Sequence, residues 1–135
     1  MVTARILIVE DERIIAADLR RHVTRLGYEV VGLAGSGAAA IEQAQTMHPN
    51  LVLMDVGLPG GMDGLEAAGH IWETLQIPVV YVTAYVDEQT MGQARTPAPL
   101  LVIRKPFEAR QLQTTLAQVL APPPAKPNAL LRLPP

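Results

Sequence analysis

The sequence predicts an α/β protein: a five-stranded parallel sheet, doubly wound, with helices on both faces. Three observations predict it. Five short apolar runs alternate with five stretches of helical periodicity, the order expected of linked βαβ units. The runs are continuously apolar, as strands buried on both faces are. At 135 residues the chain holds one domain with a real core, and is too short for two ordinary ones.

Each element follows in order. "ARILIVE" (4–10) is a buried strand. From Glu12 onward, Ile15, Leu19, Val23 and Leu26 recur at helical spacing, and Gly27 is placed to end that helix. "YEVVGLA" (28–34) is the second strand, and "GAAAIEQAQTM" a small-residue helix stopped before Pro49. "LVLM" (51–54) is the third strand. After a loop with four glycines, Leu65, Ala68, Trp72 and Leu75 mark the third helix, with Asp63 as its cap. "IPVVYVTA" (77–84) is the fourth strand, and Trp72 and Tyr81 read as core. "VDEQTMGQA" predicts a short, weak helix closed off by Pro97 and Pro99. "LLVI" (100–103) is the fifth strand, and Leu112, Leu116, Val119 and Leu120 are the stripe of a last helix. Residues 1–121 are thus one domain, and 122–135, with six prolines, an extended tail or the start of a linker.

Composition narrows the function. Hydrophobic residues make up 49% and aromatics 4%, so the core is aliphatic. Net charge is −2 without a basic cluster, which argues against nucleic acid as a partner. Without cysteine there is no thiol nucleophile or thiolate metal site. No apolar run approaches the roughly 20 residues of a membrane span, and the N-terminus lacks a signal-peptide pattern. A soluble, cytoplasmic protein without a membrane partner is expected. His22, His48 and His70 lack metal spacing and read as surface residues.

Right-handed crossovers bring the C-terminal ends of all parallel strands to one rim. There the first strand ends in Glu10 and Asp11, the third in Asp55 and the fourth in Thr83, while Lys105-Pro106 follows the fifth. Two carboxylates ~4 Å apart repel by roughly 4 kcal/mol at an effective dielectric near 20. A divalent cation would offset that, and hard oxygen donors without His or Cys favour Mg2+. Lys105 supplies a further positive charge and Thr83 a donor. Such a rim suits phosphoryl transfer, with a carboxylate as nucleophile.

"ILIVEDE", "LVLMDVGLPGGMDG", "VVYVTA" and "IRKPF", in this order and spacing, resemble the receiver domain of two-component response regulators over residues 4 to about 120. The resemblance implies a flavodoxin-like (βα)5 fold and a phosphoryl acceptor at Asp55. It implies Mg2+ held by Glu10, Asp11, Asp55 and the Gly57 carbonyl, with Thr83 and Lys105 on the phosphoryl group and a cis Lys105–Pro106 bond. The partners implied are a sensor histidine kinase or histidine phosphotransfer protein as donor and a downstream protein as target. A homodimer through the face of helix four, strand five and helix five is also implied. The expected protein is a stand-alone receiver or the receiver of a longer regulator, with self-phosphorylation and autodephosphorylation chemistry rather than turnover of a substrate.

Two features depart from the family. Three residues before the lysine, where receivers carry a Tyr or Phe that swings inward, stands Val102. Tyr85, two residues after Thr83, is placed to compensate for it or to shield the phosphoryl group. Helix four is short. Val102 supports an alternative, a degenerate receiver acting as a constitutive binding module; the intact acidic site opposes it. "GSGAAA" (35–40) matches a dinucleotide fingerprint, but follows the wrong strand and leaves Glu10, Asp11 and Lys105 unexplained.

Overall fold

The continuous aliphatic runs become the strands of one sheet. The computed structural model describes residues 3–120 and orders them as β1 (Arg5–Val9), α1 (Arg13–Arg25), β2 (Glu29–Ala34), α2 (Gly37–Met47) and β3 (Leu51–Met54), then α3 (Gly64–Leu75), β4 (Val79–Thr83), α4 (Glu88–Met91), β5 (Val102–Arg104) and α5 (Ala109–Val119). All strand pairs are parallel, in the order β2-β1-β3-β4-β5. The expected tail, 122–135, lies outside the described residues.

Strand side chains alternate between faces, so the sheet separates two cores. Ile6, Ile8, Leu51, Leu53, Val80, Val82 and Ile103 pack with Leu19 and Val23 of α1 and Leu112 and Leu116 of α5. Leu7, Val9, Val52, Met54 and Tyr81 pack with Ala40 and Ala44 of α2 and Leu65, Ala68 and Ile71 of α3. The small residues of α2 thus serve close helix packing. Ser36 caps that helix by accepting from the Ala39 amide, and a Cβ on Gly37 would lie 3.1 Å from Met62. That accounts for "GSGAAA" without a nucleotide.

Turns end the helices as their chemistry predicts in part. Gly27 closes α1 at φ +97°, a conformation glycine adopts at no steric cost. His48 and Gln76 do the same for α2 and α3 at φ +48° and +58°, positions that carry no glycine to announce them. The Asp63 carboxylate caps α3, accepting from the Glu66 amide at 2.9 Å.

Three expectations need correction. Trp72 is half-buried rather than core: Ile71 occupies the sheet-facing position, and one residue further is a turn of about 100° away from it. α4 is one turn ending at Met91, with Gly92 as cap, so it stops well before Pro97. β5 starts at Val102 rather than Leu100. It is an edge strand whose register is set only by β4, with Tyr81 opposite Val102 and Thr83 opposite Arg104.

Candidate functional site

Strand order reverses between β1 and β3, and the crevice beyond their C-terminal ends is where open α/β sheets bind ligands. Backbone pairing continues one step past the strands into this crevice. The Glu10 amide donates to Ala34 O at 2.9 Å, the Asp55 amide to Val9 O at 3.0 Å and the Lys105 amide to Thr83 O at 3.1 Å. Glu10, Asp55 and Lys105 are therefore each fixed by a main-chain hydrogen bond in addition to the contacts of their side chains. The loop after β3 folds back on itself: the Gly64 amide donates to Val56 O at 2.9 Å. A Cβ on Gly64 would run into the Asp55 carbonyl oxygen, so only glycine allows α3 to begin this close.

Glu10 and Asp55 are buried, at 4% and 6% exposure, and Thr83 is fully buried. Asp11 is exposed at the rim. One carboxylate oxygen from each of Glu10, Asp11 and Asp55 falls within 4.8 Å of the others. Lys105 reaches across from the far side: its Nζ donates to Glu10 Oε1 and, at 3.1 Å, to Asp55 Oδ2. The remaining oxygens are also engaged. Asp55 Oδ1 accepts from the Gly57 amide at 3.3 Å, and Glu10 Oε2 from the Glu12 amide at 3.2 Å. Thr83 Oγ accepts from the Tyr85 amide at 3.1 Å, which leaves its own proton to donate.

Burial pushes the Glu10 carboxyl above its ordinary range, against the Lys105 hydrogen bond, which holds it down. Burial alone would lower Lys105, but its hydrogen bonds to Glu10 and Asp55 and their negative charge outweigh that and raise it. The ammonium therefore stays charged between its two acceptors. Three carboxylates with no nitrogen or sulfur donor form a hard-oxygen set that could hold a metal ion, and such a set matches Mg2+ rather than zinc.

Glu10, Asp11, Asp55 and Lys105 thus converge. Gly57 and Tyr85 meet beside them: a Cβ on Gly57 would lie 2.5 Å from Tyr85 Cε2, and Tyr85 is 57% exposed. Val102 does not join the site, being half-buried opposite Tyr81 against the α2–α3 core. Lys105–Pro106 is cis, and so is Ala98–Pro99. Sequence reasoning did not foresee the Glu12 amide on Glu10 or the Tyr81–Thr96 hydroxyl pair at 2.9 Å. The Glu12 contact was available from the acidic run itself, since a side chain often accepts from the amide two residues on. His22 is half-buried rather than a free surface residue, its ring edge-on to Phe107 with centroids 5.5 Å apart.

Comparison with known proteins agrees with this fold. A family model described as response regulator receiver domain matches residues 6–117. The phyllosphere-induced regulator PhyR of Methylorubrum extorquens is 35% identical over 120 residues, 88% of this chain and 44% of that protein. The transcriptional regulatory protein PdtaR of Mycobacterium tuberculosis is 39% identical over 111 residues, 82% of this chain and 54% of that one. This chain thus spans about half the length of these curated relatives. The crystal structure of a signal receiver domain of a modulated diguanylate cyclase from Desulfovibrio desulfuricans superimposes with a TM-score of 0.81 at 31% identity, covering 87% of this chain and 94% of that one.

Proposed function

The chain belongs to the response regulator receiver family, and from that premise we propose that Asp55 takes a phosphoryl group from a phosphohistidine. The donor is a sensor histidine kinase or a histidine phosphotransfer protein. An Asp55 carboxylate oxygen forms the bond to phosphorus as the phosphorus–nitrogen bond breaks, and the electron pair of that bond returns to the imidazole. The observation that carries the reading is the Lys105 ammonium spanning the buried Glu10 and Asp55 carboxylates, with Asp11 beside them.

The chain's own groups divide the work. Lys105 already donates to an Asp55 oxygen, so the phosphoryl oxygens would meet a fixed positive charge. Thr83, with its proton free, donates to the same group. Glu10, Asp11, Asp55 and the Gly57 carbonyl would hold Mg2+, which when bound neutralises charge on the transferring oxygens. Tyr85, its ring beside Gly57, shields the product from water and sets its lifetime. Signalling then proceeds by a shift between two conformations and by protein contact, through the face of α4, β5 and α5, where a downstream protein or a second copy docks. The receiver unit is residues 1–121 and acts in the cytoplasm; among the described residues no helix is long and apolar enough to cross a membrane.

Intact mass tests this directly. Incubated with acetyl phosphate and Mg2+, the protein is expected to gain one phosphoryl group; omitting Mg2+ or substituting Asp55→Asn abolishes the gain. No adduct with acetyl phosphate and none with a phosphohistidine donor would instead favour the constitutive binding module, for which Val102 speaks.

A further inference from the structure

Between Thr83 and Val102 the chain has little regular structure of its own: α4 is a single turn, and residues 92–101 are neither helix nor strand. Ala94, Leu100 and Leu101 pack this connection against the two cores, and the hydrogen bonds of its second half converge on one residue. Tyr81 is fully buried in β4. Its amide donates to Leu101 O at 2.9 Å, and its hydroxyl pairs with the Thr96 hydroxyl at 2.9 Å. Both ends of the stretch from Thr96 to Leu101 are therefore tied to the same side chain and main chain. Among the described residues, the Thr96 contact is the only side-chain hydrogen bond made by residues 92–101. Next to it, Arg95 packs its stem into the space left by Gly69 of α3, where a Cβ would lie 2.8 Å from Arg95 Cβ.

Tyr81 is also well placed to sense the site. It lies two residues before Thr83, on the same side of the strand, and faces Val102 across the ladder. Val102, with a short branched side chain, has no hydroxyl to offer and no ring to swing. A buried phenol needs a partner for its hydroxyl, and among the described residues the one Tyr81 finds is Thr96.

We propose that the Tyr81–Thr96 hydroxyl pair is a latch fastening the α4–β5 connection to β4, and that Tyr81 rather than residue 102 carries changes at Thr83 to that connection. The second half of this proposal rests on the acceptor reading of Asp55. When Thr83 turns toward a phosphoryl group, β4 shifts beneath Tyr81, and the latch releases or tightens the segment that borders the α4–β5–α5 face.

Amide hydrogen exchange decides it. In the unliganded protein, Tyr81→Phe and Thr96→Val each remove one hydroxyl at nearly constant volume. Each is expected to speed exchange at the amides that residues 93–101 carry, all but those of Pro97 and Pro99, by about three- to tenfold, with β1 and β3 amides unchanged. The double variant is expected to exchange no faster than the faster single one, because both break the same bond. Unchanged exchange in both single variants, or full additivity in the double, overturns the latch. For the coupling, beryllofluoride with Mg2+ serves as the phosphoryl mimic. In the wild type it is expected to alter exchange both at Gly57 and across 93–101; in Tyr81→Phe only the Gly57 effect is expected to remain. An equal effect across 93–101 in that variant overturns the coupling. If the mimic changes nothing at Gly57 in the wild type, the acceptor reading fails and the coupling with it, while the unliganded comparison still decides the latch.

Discussion

Lys105 lies on the opposite side of the sheet's midline from Glu10, yet its ammonium bonds both Glu10 and Asp55. Without it, two buried carboxylates would face each other with only backbone amides to answer them, and each unpaired buried charge is strongly destabilising. This explains why a lysine, long and flexible, stands at the end of an edge strand. Its place at the rim was legible because apolar runs that end abruptly in charge are unusual, and three such ends, after β1, β3 and β5, point to one rim. Tyr81–Thr96 was not legible: a tyrosine inside an apolar strand reads as core whichever way its hydroxyl points, and its partner is 15 residues away in a segment without periodicity. Tyr85 is the residue whose proposed role is easiest to isolate. Its exposed ring lies beside Gly57 without entering the core, so Tyr85→Ala is expected to leave folding intact and to change the dephosphorylation rate of the aspartyl phosphate by several-fold, about 1 kcal/mol or less in barrier. A chase of the phosphorylated protein by intact mass would measure this, and equal decay of the two proteins would reject the role.

At the scale of elements, the glycines after β3 separate into those that shape the loop and those that do not. A Cβ at Gly64 collides with the backbone carbonyl of Asp55, whereas one at Gly61 meets nothing within 4 Å. Gly64→Ala is therefore expected to cost about 2–4 kcal/mol, in line with other severe local conflicts, and Gly61→Ala less than about 0.5 kcal/mol; urea denaturation of the two variants compares them. α4 depends on its cap more than a longer helix would. The Asp87 carboxylate accepts from the Thr90 amide at 2.7 Å and from the Thr90 hydroxyl at 2.8 Å, and these bonds hold it below its ordinary value of 3.8. A carboxylate lowered by folding favours the folded turn above its ordinary value and gives up that advantage as pH falls through the lowered one. Backbone chemical shifts of residues 88–92 are expected to move toward coil as pH drops below 3.8, and Asp87→Asn, which caps without titrating, is expected to remove the dependence. An identical titration in the variant would contradict it. The short reach of α4 was visible in its weak pattern, but its end was not, because the prolines beyond it suggest a stop several residues too late. β5 was misplaced for a related reason: Leu100 and Leu101 are as apolar as a strand demands, but the ladder with β4 begins at Val102, and Leu101 joins it only through its carbonyl oxygen.

For the whole molecule, the parallel sheet covered on both faces follows from the alternation of strands and helices, while the strand order β2-β1-β3-β4-β5 does not, because several doubly wound orders share that alternation. Ligand binding to the rim then acts on global stability, because an ion bound only by the folded state stabilises it by mass action. Mg2+ at a hundredfold excess over its Kd is expected to raise stability by about 2.7 kcal/mol, seen as a higher Tm, and Asp11→Ala to remove most of the shift. A wild-type Tm indifferent to millimolar Mg2+ would tell against metal at these three carboxylates.

The hydrogen bonds that the Glu10, Asp55 and Lys105 amides donate to the neighbouring strands have a consequence for how such a protein can change over time. Adjacent strands are separated by about 4.8 Å whatever side chains they carry, so the sheet works as a ruler on which the charged groups of the rim are marks. Exchanging one aliphatic residue for another in either core alters how firmly the ruler is held but not the distance between its marks. Volume-conserving changes in the packing of this domain, and changes of its surfaces, leave the spacing of its charges calibrated by the backbone ladder.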